Sequence, residues 1–337
     1  MIFLITGGSG YVGSRLLNRL LKNEKIQKLI NYDISFFGDD HLPLDNPKYV
    51  YEKKDLRDLN SLKAVINKHK VDKVLHLACI SNDPTFELNS SISREINFDC
   101  FDPFVKTSKE NGVKDFIYAS TCSVYGVSDE PEVKEDHPLL PLTDYNKYKA
   151  MCEPILLDYI DNNFNGLIIR PATVCGYSEK MRFDLTVNIL TNYAFNKGFI
   201  KVFGGKQTRP NIHIDDMCNL YEDLLIRDLS GINGQIYNAG QENLSILAIA
   251  EKISQQMLER FNKKIEINVE PSNDPRSYRI NSDKLIKNYG FKFQKNVDDA
   301  IKDLLEAFTN KLIKDSFSDK WINISILKKL ESEKKYS

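Results

Sequence analysis

The first turn of the chain constrains its fold more than any other feature. An apolar run over residues 2–5 leads into Gly7-Gly-Ser-Gly-Tyr-Val-Gly13, and leucines then recur at positions 16, 17, 20 and 21, which is helical spacing. Glycine permits a tight turn there and lets backbone N–H groups approach an anion at the N-terminus of the helix. The segment therefore predicts a strand, a phosphate-binding turn and a helix that together cradle a dinucleotide.

An acidic residue ends the second predicted strand. Asp33 stands 20 residues beyond Gly13, where such a fold places a ribose. A carboxylate there accepts hydrogen bonds from ribose hydroxyls and repels a 2′-phosphate, so we expect NAD as the cofactor and not NADP. The residues of the turn expected to contact it are Gly7, Gly10, Tyr11, Val12 and Gly13. A glycine turn in a similar domain that binds no cofactor is the alternative.

The rest of the chain alternates between strand-like and helical segments. Further strands are predicted at 28–32, 49–52, 73–77, 115–119 and 166–169, with stretches between them that are long enough for crossover helices. After residue 170, predicted helices at 184–197, 215–228, 245–262 and 297–310 alternate with short strands at 200–203, 211–214, 235–238 and 265–269. We predict an α/β protein with a Rossmann-like, doubly wound parallel sheet (1–170) and a smaller mixed α/β substrate domain (171–310), with some interleaving. The tail, 311–337, receives no role.

Composition and charge exclude several classes of protein. The 46 basic residues almost cancel the 47 acidic ones, which argues against a nucleic-acid-binding surface. The longest apolar stretches fall far short of the roughly 18 residues that span a membrane, and the first begins at residue 2, so we expect no leader and no membrane partner. The six cysteines and five histidines are too scattered for a zinc site or a disulfide framework. We therefore expect a cytoplasmic protein without a metal.

A tyrosine–lysine pair supplies the candidate acid–base group. Tyr-x-x-x-Lys occurs three times, but only Tyr145 and Lys149 begin the helix that follows strand 115–119, at the sheet edge where ligands bind. Lowering a phenol pKa from about 10 to about 7 takes about 4 kcal/mol of preference for the phenolate. We expect Lys149 and an oxidised nicotinamide ring to supply that charge. Tyr145 then becomes a base for a substrate hydroxyl, and Thr121 hydrogen-bonds the same oxygen.

Together these residues resemble the extended short-chain dehydrogenase/reductases, specifically the NAD-dependent nucleotide-sugar epimerase/dehydratase group. The resemblance covers about residues 1–310. Besides the glycine turn, Asp33 and the Tyr145–Lys149 pair, it rests on the following motifs: Asp55-Leu-Arg57, His76-Leu-Ala78, Asn97, Ser120-Thr-Cys-Ser-Val-Tyr-Gly126, Arg170-Pro171 and Arg209-Pro-Asn-Ile-His-Ile-Asp215.

The resemblance implies further cofactor contacts and an assembly. The contacts are Asp55 and Leu56 beside the adenine, Leu77 and Ala78 along the dinucleotide, Asn97 supporting the central helix and an active-site water, and Lys149 and Pro171 as further cofactor-binding residues. The same analogy implies a homodimer, formed through a bundle of two helices from each subunit.

The two residues after Thr121 indicate which reaction of the family this chain can catalyse. The 4,6-dehydratases of this group carry Asp or Glu directly after that threonine, whereas this chain has Cys122 and Ser123. Elimination of water then lacks its acid and base, so we expect hydride transfer at one sugar carbinol, C4 first, with NAD as the hydride store. An epimerase returns the hydride to the opposite face of the keto sugar, whereas a 4-dehydrogenase or 4-ketoreductase carries out a single hydride transfer. The sequence leaves both reactions open. The segment 180–188 is similar to a subset that includes sugar epimerases and GDP-heptose 4-dehydrogenases of bacterial surface-polysaccharide pathways.

Substrate binding should need cations, because a nucleotide sugar carries a diphosphate that suits the planar grip of arginine. Arg209 and Arg276 match family positions for that task, and Asn188 matches a position near the nucleotide base. Ser81 and Asn82, just after the fourth predicted strand, are expected sugar contacts. Tyr148 departs from the family pattern, in which a small residue precedes the lysine.

Two other classes of function remain as alternatives. A non-catalytic NAD(P) sensor needs the glycine turn only, and such proteins commonly lack the tyrosine–lysine pair that this chain keeps. An oxidoreductase for steroids or flavonols shares the first domain, but it does not need two arginines for a diphosphate, and Asp33 argues against its NADP. We therefore expect an NAD-dependent enzyme that acts on a nucleotide sugar.

Overall fold

The computed structural model shows strands and helices in alternation and describes residues 1–128, 130–272 and 277–333. Within these ranges the strands are β1 (Ile2–Thr6), β2 (Lys28–Tyr32), β3 (Tyr49–Glu52), β4 (Lys73–His76), β5 (Asp115–Ala119), β6 (Asn165–Pro171), β7 (Thr173–Cys175), β8 (Phe199–Phe203), β9 (Thr208–His213), β10 (Ile236–Ala239), β11 (Glu242–Ser245) and β12 (Glu266–Glu270). The α-helices are α1 (Tyr11–Leu20), α2 (Leu59–His69), α3 (Asp83–Leu88), α4 (Ser90–Arg94), α5 (Phe101–Glu110), α6 (Asp144–Asp158), α7 (Thr186–Lys197), α8 (Ile214–Ile226), α9 (Ile246–Phe261), α10 (Val297–Thr309) and α11 (Asn323–Ser332). None of the helices in these ranges is long and apolar enough to cross a membrane.

Seven strands form one sheet in the order β10-β6-β5-β4-β1-β2-β3, and each runs parallel to its neighbours. A strand that is covered on both faces buries every side chain, which is why these strands read as continuous apolar runs. On the interior strand β5, Phe116 faces one apolar core and Ile117 faces the other, and both are fully buried. The predicted Rossmann-like, doubly wound α/β fold is thereby confirmed.

The strand at one edge of this sheet comes from the second half of the chain. β10 pairs with β6, with Ile236 beside Ile168 and Ala239 beside Pro171. From the sequence this segment is expected in the smaller domain, because it follows the point at which the strand–helix rhythm changes. The structure adds it to the large sheet instead, since its apolar side chains extend both cores. The chain therefore leaves the large sheet after β6 and returns to it at β10.

Two short sheets and three helices form the smaller domain. In the first sheet, β9 lies between β11, which is antiparallel to it, and β7, which is parallel; in the second, β12 pairs with β8. Helices α7, α9 and α10 pack against one another. This is the mixed α/β arrangement that the sequence predicted. Because β7 begins directly after β6 ends, the domain starts at the carboxyl edge of the large sheet.

A buried ion pair joins β6 to α6 at that edge. The Arg170 guanidinium donates to Glu153 from Nε (3.0 Å) and Nη2 (2.6 Å), and both side chains are 3% exposed. Arg170 also donates to the Tyr125 hydroxyl, which in turn donates to Asn238 on β10. The Ser120 hydroxyl, just after β5, donates to Glu153 at 2.6 Å. One polar network therefore fixes the ends of three neighbouring strands.

Replacing Glu153 by Gln leaves the buried guanidinium of Arg170 without a counter-charge. We expect E153Q to lower the free energy of unfolding by about 3–5 kcal/mol, as measured by urea denaturation. The matched control is E270Q, which breaks the half-exposed pair between Lys201 and Glu270 (2.8 Å) and should cost less than about 1 kcal/mol. Equal losses in the two variants would contradict a structural role for the buried pair.

Candidate active site

Two adjoining cavities open at the carboxyl ends of the large sheet. The first cavity, about 210 Å³, follows the glycine turn and the ends of β2, β4 and β5; the second, about 600 Å³, extends towards the smaller domain. The residues that line both are Tyr11, Val12, Ser81, Ser120, Tyr145, Pro171, Val174 and Arg182. The junction of the two cavities therefore contains Tyr145, the predicted acid–base group.

The glycine turn shapes one wall of the first cavity. Gly7 has a φ of +75°, and a Cβ there would lie 2.5 Å from the backbone nitrogen of Ala78 on the chain that follows β4. A Cβ at Gly13 would lie 2.6 Å from the Gly7 carbonyl, so neither position accepts a side chain without a shift. Helix α1 begins after Gly10, and among the described residues no side chain caps it and no acidic residue stands in its first turn. These N–H groups fit the pyrophosphate of a dinucleotide.

The acidic residue lies where the sequence places it. Asp33 lines the first cavity and accepts hydrogen bonds from the backbone N–H groups of Ser9 (2.9 Å) and Ser35 (2.7 Å). Burial raises the pKa of this carboxyl, while these two hydrogen bonds act in the opposite direction. Asp55 and Leu56 line the same cavity, and Arg57 pairs with the carboxylate of Asp55 at 2.7 Å.

Of the remaining predicted cofactor contacts, four line the first cavity and one does not. The four are Leu77, Ala78, Lys149 and Pro171. Asn97 lines neither cavity, because its amide forms two hydrogen bonds with the backbone of Ile80, accepting from N–H (2.8 Å) and donating to C=O (3.0 Å). Asn97 therefore fixes the chain that leaves β4, and it acts on the cavity through that chain.

The structure surrounds the tyrosine–lysine pair with one charged residue that the sequence motif does not include. Lys149 is buried, donates to the Ala119 carbonyl (2.7 Å) and lies 4.9 Å from the centre of the Tyr118 ring. Burial raises the pKa of Tyr145 well above its ordinary value, and the positive charge that opposes this shift belongs to Arg182. The sequence motif assigns that task to Lys149 and the nicotinamide ring. Arg182 lies within the 180–188 segment, and the resemblance of that segment to a subset of the family is the sequence feature that points to it.

Arg182 is held at the junction by an acidic partner. Its guanidinium donates to Asp184 from Nε (3.0 Å) and Nη2 (2.7 Å), and the amide of Asn82 donates to the same carboxylate. Arg182 keeps the pKa of the Asp184 carboxyl below its ordinary value although the carboxyl is buried. The predicted sugar contact Asn82 thus lines the second cavity and also orients this pair.

Thr121 lies in the second cavity on a short polar chain. Its hydroxyl is 2.7 Å from the hydroxyl of Ser123, which donates to the Asn146 side chain at 2.7 Å. Cys122 points the other way, is fully buried and donates to the carbonyl of Arg170 (2.8 Å). Burial raises the pKa of its thiol, so Cys122 is a packing residue.

The predicted substrate contacts divide into three groups. Ser81 and Arg209 line the second cavity together with Asn82. Asn188 lines neither cavity: it is fully buried, accepts from the Gly176 N–H (3.0 Å) and donates to the hydroxyl of Tyr11 (3.1 Å). It therefore positions Tyr11, which lines both cavities. Arg276 lies outside the described residues.

Tyr148, the departure from the family pattern, lies away from both cavities. Its ring stacks on Phe86 and Phe98, with centre-to-centre distances of 5.7 Å and 5.3 Å. The bulky residue therefore packs against α3 and the turn after α4 and does not line either cavity.

Comparison with known proteins agrees with this geometry. The family described as the NAD dependent epimerase/dehydratase family matches residues 3–240. The chain belongs to this family. It is therefore an NAD-dependent enzyme of the epimerase/dehydratase kind, and the glycine turn, Asp33 and the first cavity fit that cofactor.

The relatives of this chain include enzymes of both kinds. It is 30% identical over 271 residues to a dTDP-D-glucose 4,6-dehydratase of Dictyostelium discoideum, covering 74% of this chain but only 61% of that protein. It is 25% identical to a UDP-glucose 4-epimerase of Streptococcus mutans, over 91% of this chain and 96% of the other. The structure of a UDP-glucuronic acid 4-epimerase from Bacillus cereus superposes with a TM-score of 0.80 at 24% identity, covering 92% and 100% of the two chains.

Proposed function

We propose that this chain is a nucleotide-sugar epimerase that acts by hydride transfer at a sugar carbinol, C4 first. The observation that carries the proposal is the position of Tyr145 at the junction of the two cavities, with Thr121 beside it in the second cavity. One cavity suits the dinucleotide and the other suits the sugar nucleotide, so the reacting carbinol would lie between the nicotinamide and the phenol.

Binding of the cofactor follows from the lining of the first cavity. The N-terminus of α1 would hold the pyrophosphate, and Asp33 would accept hydrogen bonds from the adenosine ribose. NAD, when bound, supplies a reversible hydride acceptor. Lys149 cannot move far, because its ammonium donates to the Ala119 carbonyl at 2.7 Å, and it presents a fixed positive charge beside the nicotinamide end of the cavity.

Proton transfer falls to Tyr145. As the phenolate it takes the proton of the carbinol hydroxyl, and as the phenol it returns the proton when the carbonyl is reduced. Thr121 can donate a hydrogen bond to the same oxygen and so orient it. Because burial disfavours the phenolate, the nearby cations must offset that cost, and Arg182 is the cation that acts most directly on it.

The residues in the second cavity support epimerisation over dehydration. Among the described residues, the carboxylates that line it are Asp83 and Asp184; the first accepts a hydrogen bond from Thr143 (2.6 Å) and the second is paired with Arg182. Neither follows Thr121, where dehydratases of the family carry their acid. Epimerisation also requires the keto sugar to present its other face to the same cofactor, and a 600 Å³ cavity gives it room.

The sequence features of the substrate side lead to a finer proposal. Arg209 lines the second cavity and would bind the diphosphate of the nucleotide sugar. The 180–188 segment resembles enzymes of surface-polysaccharide precursor synthesis, and we place this chain in that class of pathway. All six cysteines, which lie within the described residues, are unpaired, as suits the reducing cytoplasm.

A 4-dehydrogenase or 4-ketoreductase, including the GDP-heptose type, is the second candidate, because it would use the same residues.

A panel of UDP-, dTDP-, GDP- and CDP-sugars tests the reaction directly. We expect a new sugar diastereomer by NMR without net NADH by absorbance, because the hydride returns to the sugar in each cycle. Accumulation of NADH with a keto sugar would identify a dehydrogenase, and a 4-keto-6-deoxy sugar would identify a dehydratase.

Y145F should lower turnover at least about a hundredfold while NAD affinity is unchanged. Unchanged turnover would rule out the phenol as the base.

The pH profile tests the role of Arg182. Activity that depends on a phenolate is lost as the pH falls below the pKa of Tyr145. Removing the positive charge raises that pKa, so in R182M the acid limb of kcat/KM should move to higher pH. For each unit by which the pKa of Tyr145 rises, kcat/KM measured at a pH below that pKa should fall about tenfold. R182K keeps the charge and should retain most of the original limb. An acid limb that does not move in R182M would refute this coupling.

A homodimer through α5 and α6 is part of the proposal. These helices pack side by side, and the outer face of α6 carries Met151, which is 39% exposed, with Pro154 and Ile155 beside it. We expect sedimentation at twice the chain mass of 38.8 kDa, and a return to the monomer mass in M151E. L258E, at another exposed apolar residue on α9, is the control and should remain dimeric. A monomeric parent protein would exclude this assembly.

A further inference from the structure

Residues 311–333, for which the sequence predicts no role, contribute residues to the walls of both cavities. We call them the C-terminal segment. Ser316 donates to the Asn192 side chain of α7 (2.7 Å), and the carbonyl of Trp321 accepts from the N–H of Phe183 (3.0 Å). The ammonium of Lys180, which lines the first cavity, donates to the carbonyl of Lys320. These contacts attach the segment to the chain that carries Arg182.

The second half of the segment, helix α11, is attached to the large sheet. It packs against α3, and its Leu327 is fully buried in an apolar cluster with Ile80, which follows β4. Phe36 and Phe37, which follow β2, also belong to this cluster and line the first cavity. The segment is thus fixed at both ends, one on each domain.

Between these two attachments the segment places polar and apolar side chains into the site. Asn323 lines the first cavity and Ile324 lines the second. The Asn323 side chain is 3% exposed, and its Nδ2 donates to the hydroxyl of Ser81 (3.4 Å), a residue that lines both cavities. Its Oδ1 has no hydrogen-bond partner among the described residues.

A buried amide oxygen without a partner is unfavourable, because the group has lost its water and gained nothing in return. Here the unpartnered atom belongs to a residue in the wall of a ligand cavity, so a ligand can supply the missing donor. A hydroxyl group suits this place best: it both donates and accepts, and therefore serves either orientation of the amide.

We propose that Asn323 is a ligand-binding residue, which the C-terminal segment carries to the junction of the cavities, where it hydrogen-bonds to a hydroxyl of the bound ligand. The inference rests on the proposed function, because that function places two polyols at this junction. One is the ribose next to the nicotinamide, and the other is the sugar of the substrate. Ile324 then forms an apolar part of the sugar cavity wall, so one segment contributes to both halves of the site.

Calorimetric titration of N323L and N323A tests this inference. The probes are NAD, and then, with NAD present, whichever nucleotide sugar of the panel binds the parent protein most tightly. Loss of one hydrogen bond should weaken one of the two by about three- to tenfold. A weaker NAD complex assigns the hydroxyl to the cofactor, and a weaker nucleotide-sugar complex with unchanged NAD binding assigns it to the substrate. The control K328A, exposed on the same helix, should leave both affinities unchanged.

The melting temperature without added ligand separates a binding role from a structural one. N323L removes an unpartnered acceptor together with one long hydrogen bond to Ser81 (3.4 Å), so the two effects oppose each other and the variant should melt close to the temperature of the parent. A lower melting temperature with both affinities unchanged would overturn the inference. If no nucleotide sugar binds the parent protein, the proposed function fails, and NAD affinity alone then decides: an unchanged value in both variants overturns the role of Asn323.

Discussion

Close contact between the glycine turn and the chain that leaves β4 sets the geometry of the whole site. The backbone of Gly7 approaches Ala78 so closely that a Cβ would overlap it, and Gly13 packs against the turn itself with the same lack of space. The N-terminus of α1 can therefore reach the level of the strand ends. The continuation of β4 beyond Ala78 carries Ile80, which lines the first cavity, and Ser81, which lines both. Any side chain at Gly7 would move the phosphate-binding turn and the β4 extension apart.

Polar groups then fix the strand ends around this contact. The Glu153–Arg170 pair ties β6 to α6, while Asn97 holds Ile80 through two hydrogen bonds. Both interactions are buried and therefore strong enough to orient what they touch. Tyr145, which stands on α6, and Ser81, which follows β4, both line the two cavities. The proposed acid–base chemistry of Tyr145 therefore depends on this framework as well as on the contacts within the cavity.

Local patterns in the sequence were sufficient for the elements near the start of the chain. The glycine turn, Asp33 and the parallel sheet follow from residues close together in sequence, since strand, turn and helix form one continuous unit. Arg182 and Asn323 could not be found in this way, because each reaches the site through packing between remote segments. Asn323 contacts a residue 242 positions away, in a tail without a recognisable motif. Conversely, motif position alone does not show that the amides of Asn97 and Asn188 are engaged by the protein itself and line neither cavity.

The same packing bears on the proposal that this chain epimerises its substrate and does not dehydrate it. A dehydratase of the family has a carboxylate directly after the threonine, but the side chain of Cys122 points into the interior and donates to the carbonyl of Arg170. Glu153 and Glu135 lie close enough to raise the pKa of the Cys122 thiol further beyond the effect of burial. An acidic residue in that orientation would be buried beside two carboxylates, and it would compete with Glu153 for the single guanidinium of Arg170. The residue that follows Thr121 is therefore fixed by interior packing, and this packing connects the proposed chemistry of the site to the ion pair beneath it.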